Sequence, residues 1–209
     1  MARASVLPFL EFGFEASQEQ PGYAVKSCHP ITQSVSFMTS RSDKSMRELI
    51  GYVQIEDTIL QTSQVVSTVI FDERGIHGRG PTISYSADDK EAPRDVIERY
   101  ILPWSEYYFD LGNVAGLILA EYSESDTVDY LNTPRANPVF VDSLPPAGNR
   151  KMGIVEAELG NTMLGRRYFA EYREFVEKKA LKAKGKYKEE YEAELSLLHD
   201  RLLRLSALH

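Results

Sequence analysis

The side chains able to do chemistry are few and scattered. His77 stands in the Gly75 to Pro81 stretch, which reads GIHGRGP, with Asp72, Glu73 and Arg79 close in sequence. A loop histidine beside carboxylates can act as a general base or a metal ligand. The surrounding pattern does not complete either role. The stretch lacks the Gly-Lys-Ser/Thr ending of a phosphate-binding loop, and neither an HExxH pair nor a second nearby histidine fills a metal set. Its glycines support a hairpin or turn. Cys28 and His29 are neighbours, and on a strand neighbouring side chains point to opposite faces, so they cannot serve one spot as nucleophile and base. Cys28 reads as a buried structural thiol. Neither His199 nor His209 has a partner in the sequence. Carboxylate pairs such as Asp88 with Asp89 and Glu124 with Asp126 are too common to nominate a glycosidase or a nuclease. The GxSxG, GxGxxG and EF-hand patterns are absent. No catalytic, cofactor-binding or metal-ligating residue is assigned on these grounds, and the expectation leans away from an enzyme.

The elements that would position any site divide the chain in two. Residues 1–150 carry 12 basic and 21 acidic side chains, residues 151–209 carry 12 and 10, and the whole chain is at −7. This asymmetry marks 1–150 as a body and 151–209 as a tail with its own role. Runs rich in Val, Ile, Tyr, Phe and Thr cover Val6 to Phe14, Tyr23 to Ser27, Ile31 to Met38 and Leu49 to Phe71. They predict strands, with alternation clearest at Val35 and Phe37 and at Val66, Thr68 and Ile70. No helical crossover separates them, so the sheet is expected to be antiparallel. From Arg94 to Tyr122, residues Tyr107, Leu111, Val114, Ala115, Ile118 and Tyr122 recur at helical spacing; Pro103 should break or kink the stretch, and Gly112 with Gly116 should allow a close helix crossing. Pro134, Pro138, Pro145 and Pro146 make 132–149 an extended connector or arm, with a short strand at Val139 to Val141. The expected fold class is α+β: an antiparallel β-rich N-terminal body, a buried central helical segment and a C-terminal helical tail.

The tail carries the most informative pattern. Tyr168, Tyr172 and Phe175 recur at +4 and +3, and Tyr191, Leu195, Leu198, Leu202 and Leu205 recur at +4, +3, +4 and +3, so both are coiled-coil-like seams. The second seam is two residues out of phase with the first, which is about 200° of helix rotation. A break near Gly185 would fold the seams together as an αα-hairpin; one long helix of about 70 Å would instead bridge two surfaces. Lys178, Lys179, Lys182, Lys184, Lys186 and Lys188 gather at the proposed break. They read as a solvated face paired with Glu174, Glu189, Glu190 and Glu192, or alternatively as a patch facing an anionic surface.

Composition closes off several classes. Hydrophobic residues at 43% and charged residues at 26% are those of a folded chain. The net negative charge disfavours nucleic acid as a partner. No stretch reaches the roughly 18 apolar residues of a membrane-spanning helix. Glu11 and Glu15 are wrong for a secretory or transit leader, and the lone cysteine forms no internal disulfide, so an intracellular setting is expected. The function these features favour is a non-enzymatic structural or accessory subunit of a larger multi-protein assembly. It would dock on other protein subunits through the eight tail seam residues and the Pro-rich segment. An adaptor using the Lys-rich tail comes second, and a small enzyme built near Gly75 to Pro81 third.

Overall fold

The computed structural model describes residues 6–60, 62–70, 83–122, 140–142 and 144–208. The GIHGRGP loop, Glu124, Asp126, His209 and residues 132–139 and 143 of the Pro-rich stretch lie outside the described residues.

The chain does not open with a strand over Val6 to Phe14. Leu7–Leu10 form a short helix, α1, with Pro8 in its first turn, where a missing N–H costs nothing. Phe9 and Phe14 are both buried, and their rings meet at 5.9 Å while Phe9 stacks on Phe37 at 4.8 Å. Five residues apart, the two rings would point to opposite faces of a strand, so burying both requires the turn.

Five strands then run as an antiparallel meander in spatial order: β1 (Glu15–Ala16), β2 (Ala24–Cys28), β3 (Ile31–Thr39), β4 (Met46–Asp57) and β5 (Thr62–Ile70). A short strand, β6 (Ser84–Ser86), pairs with Met46 to Glu48 of β4 just beyond the point where β5 leaves it. The long apolar run from Leu49 thus divides at a turn after Asp57. Ile31 opposite Ile55, Val35 opposite Gly51 and Phe37 opposite Leu49 set one face of the sheet into the core. The small polar residues between them, Ser34 and Ser36, are buried as well. Ser36 donates to the Gly22 carbonyl at 2.7 Å, which satisfies its hydroxyl. Cys28 is exposed, not buried, because β2 frays into solvent toward its end; His29 follows in the turn and sits 3.1 Å from the exposed Glu56 carboxylate.

The helical half covers the core face. Asp89 accepts the backbone N–H groups of Glu91 and Ala92 at 3.0 Å, and Ala92–Val96 form α2. A π-helical turn at Ile97–Ile101 leads into α3 (Leu102–Tyr107). Pro103 does not end the helix; in place of a clean break the structure shows a widened turn just before it. The preceding turn widens, with Leu102 N–H bonding to Ile97, so the proline falls in the first turn of α3, where it needs no donor. The break comes instead at Tyr108 to Asp110, where Asp110 accepts the Asn113 N–H at 3.1 Å and opens α4 (Leu111–Glu121). Trp104, Tyr108, Ile97 and Ile101 are fully buried in one core with the sheet, and Gln33 of β3 donates to the Ser105 carbonyl at 2.9 Å.

Three antiparallel helices complete the chain: α5 (Pro146–Glu158), α6 (Thr162–Ala180) and α7 (Lys186–Ala207). Pro145 is extended and Pro146 opens α5, so the extended stretch ends there. Phe140 and Val141 are not a strand. The Val141 N–H donates to the Tyr168 hydroxyl at 3.0 Å, Phe140 packs on the Tyr168 ring, and the Arg167 guanidinium lies 3.7 Å from the Phe140 centroid. α5 ends in a reciprocal cap: Gly160, at φ +80°, donates to Ala157 while Asn161 donates to Glu156. Gly112 and Gly116 are buried in α4, and a close helix approach is seen between α5 and α6. A Cβ at Gly165 would stand 3.1 Å from the Gly153 carbonyl and 3.2 Å from the Ala157 nitrogen, and one at Gly153 would stand 2.8 Å from the Phe169 ring.

Two outcomes follow from this packing. Gly165→Leu should force α5 and α6 apart and lower stability by roughly 1–3 kcal/mol in a urea titration. Glu156, buried at the end of α5, receives a 2.7 Å bond from Asn161 Nδ2; burial nonetheless holds its carboxyl above the ordinary range. The folded chain therefore binds this proton more tightly than the unfolded one. That contribution is full below the unfolded pKa and is lost as pH rises through the folded value. Glu156→Gln should thus be more stable than the parent at pH 7, and the gap should close under acid conditions.

Candidate docking site on the C-terminal hairpin

The two tail helices fold back on each other at Gly185, so of the two arrangements the slipped seams allow, the chain adopts the hairpin. Gly185 takes φ +55° with ψ −138°, a conformation costly for any residue with a Cβ, and it opens α7. The seams meet inside the chain. Tyr168, Leu198 and Leu205 are fully buried, and Tyr172, Phe175, Tyr191, Leu195 and Leu202 are partly buried against the same core. The sequence expectation placed a partner on these eight residues; the structure sets them in or against one core, with Leu195 and Leu202 also reaching the hollows between α6 and α7.

Charged residues lock this inner face to the turn between β4 and β5. Arg201 of α7 and Asp57 at the end of β4 form an ion pair with both side chains almost wholly buried. The Arg201 guanidinium also lies 4.6 Å from the Phe169 ring centroid, and Asp57 Oδ1 accepts the N–H groups of Ile59 and Leu60 at 3.2 and 3.1 Å. Arg204 donates to the Ile59 carbonyl at 2.6 Å. From α5, Glu158 accepts the Thr58 N–H and hydroxyl at 2.9 Å each. Arg150 bridges Gln64 of β5 at 2.9 Å and Glu194 of α7 at 3.5 Å. Burial, followed by the charge of Glu194, raises the Tyr172 hydroxyl above its ordinary value. Sequence reasoning missed Arg201. The available signal was its position three after Leu198 and four before Leu205, a charge in the phase of the buried stripe.

The outer face is different. Of the nine large apolar side chains standing exposed among the described residues, six belong to the tail; Met163, Leu181 and Leu203 line hollows between α6 and α7, while Tyr187, Leu197 and Leu208 line neither. Between α6 and α7 on this side lies a groove of about 510 Å³, floored by Ala170 and Leu202 and flanked by Met163 and Leu203. A second hollow of about 520 Å³ continues it toward Gly185, past Glu177, Ala180, Leu181 and Leu195. Residues 163, 167, 170, 173, 177 and 180 are spaced by three and four, so the two hollows follow one side of α6. At the Met163 end the walls are Arg166, Arg167, Arg173 and His199. Toward the turn the charges are mixed, with Glu177 and Glu192 beside Lys188.

The six lysines around the turn are all exposed. Lys178, Lys186 and Lys188 pair with Glu174, Glu190 and Glu192 at 3.5 to 3.6 Å, the i, i+4 arrangement of a solvated helix face. Lys179 lies over the Phe175 ring. Among the described residues no group of three or more His, Cys, Asp or Glu side chains converges on one point, and no helix is long and apolar enough to cross a membrane.

Arg201→Met should cost roughly 3–5 kcal/mol in a urea titration, because it leaves a buried carboxylate without its counter-charge. Lys186→Ala, which removes an exposed pair, should change stability by less than about 0.5 kcal/mol in the same assay. No family model, curated protein or solved structure matches this chain.

Proposed function

We propose that this chain is a non-enzymatic structural or accessory subunit of a multi-protein assembly, and that it docks on its neighbours through the outer face of the α6–α7 hairpin. One observation carries the reading. The hairpin is held by its inner face to α5 and to the β4–β5 turn, yet it leaves large apolar side chains in water, with Leu181 at 87% and Met163 at 76% exposure. Scattered exposed apolar residues need no explanation, but several lining one groove are the mark of an interaction surface. The charged clamp on the β4–β5 turn supports the same reading. A hairpin held rigidly by its inner face presents its outer face in one geometry, so a partner would bind without the entropic cost of ordering it.

The test is purification of the tagged chain from its native source. The chain should come out with other subunits in fixed stoichiometry, and Leu181→Asp combined with Leu203→Asp should release them while moving the melting temperature by no more than about 3 °C. Recovery as a lone compact monomer by light scattering would overturn the proposal.

A further inference from the structure

We infer that the α6–α7 groove receives an amphipathic α-helix from a partner protein, with acidic side chains on the part that lies at the Met163 end. This rests on the docking role proposed above and names the chemistry of the partner.

The shape of the groove selects a helix. It runs from Met163 to Leu181, 18 positions along α6, or about 27 Å at 1.5 Å per residue. Ala170, Ala180 and Ala183 line it and keep its floor shallow enough for another backbone to come close. A third helix laid between two antiparallel ones buries its apolar stripe against both, which is the helix-in-groove mode of recognition. Met163, Leu181 and Leu203 are the exposed side chains that such a stripe would cover.

The charges select the partner's sign. Arg166, Arg167, Arg173 and His199 line the Met163 end, and among the described residues no carboxylate lines that hollow. Arg167 is 3.2 Å from Asp142 and Arg173 is 2.8 Å from Glu177, while Arg166 makes no ion pair among the described residues. A cationic rim around an apolar floor favours Glu or Asp flanking the stripe of the incoming helix and repels Lys or Arg there. A second copy docked with the same ends together would set these arginines against one another, which argues for a partner of different sequence.

The experiment uses two synthetic helical peptides of about 18 residues. Both carry one Leu/Ala stripe; one is flanked by Glu and the other by Lys at the same positions. Binding to the whole chain is read by fluorescence anisotropy. The Glu peptide should bind roughly tenfold more tightly than the Lys peptide, and the preference should shrink as salt is raised. Arg166→Glu combined with Arg173→Glu should reverse the preference, so that the Lys peptide now binds better. That reversal is a gain that a merely unfolded variant cannot show. Equal binding of the two peptides, binding of neither, or an unchanged preference in the double variant would overturn the inference. So would a stable dimer in sedimentation that Leu203→Asp dissolves, since the groove's occupant would then be a second copy. Loss of native subunits with Leu197→Asp but not with the arginine reversal would also overturn it, while leaving the subunit reading in place. A lone monomer from the native source overturns the subunit reading and the inference that rests on it, whereas failure of the peptide test overturns the inference alone.

Discussion

A charge that leaves water must find its counter-charge within the protein, and Arg201 finds Asp57. The pair is nearly inaccessible to solvent, and each partner has further support: the Phe169 ring for the guanidinium, and the Ile59 and Leu60 N–H groups for the carboxylate. Neither residue can be moved without stranding the other, so the position of α7 on the β4–β5 turn follows from this contact. Glu158, Arg204 and Arg150 then grip the same corner from α5 and α7. The C-terminal hairpin is therefore part of the core, and its outer face is defined by what the inner face has already used.

The central strands were legible from their Val, Ile, Tyr, Phe and Thr content; burial alternates along β4, while in β3 Ser34 and Ser36 are buried beside the apolar residues. The hairpin was legible for a different reason. A two-residue slip between seams leaves either a straight helix with stripes on opposite sides or a reversal, and Gly185 offered the reversal. What failed was local. Pro8 within an apolar run predicts extended chain and Pro103 predicts a kink or break, whereas each occupies a first helical turn, the position where proline is harmless, Pro103 after a widened turn. Cys28 was expected inside on the general habit of its residue type, and the end of an edge-ward strand overrode that habit. Of the docking face, the apolar seams were visible in sequence but not their inward direction. Which stripe faces the sheet depends on Arg201 meeting a residue far away in the chain, and periodicity within one helix carries no such information.

Glycine plays two separate parts in the tail. At Gly160 and Gly185 it supplies backbone conformations that end α5 and start α7. At Gly153 and Gly165 it supplies absence of volume, which lets α5 and α6 approach until backbone nearly touches backbone. The first pair sets direction and the second sets distance. Together they place α6 so that Tyr168 and Phe169 enter the core while Met163, Arg166 and Ala170 are left on the side away from it.

The contact between Asp57 and Arg201 spans 144 positions of sequence. Closing so long a loop costs chain entropy, although that cost grows only slowly with length. Without α7 the Asp57 carboxylate would have to stay in water, because its arginine would be missing. The β4–β5 corner is thus completed by a helix far along the chain, and α7 acts as the fastener that closes it.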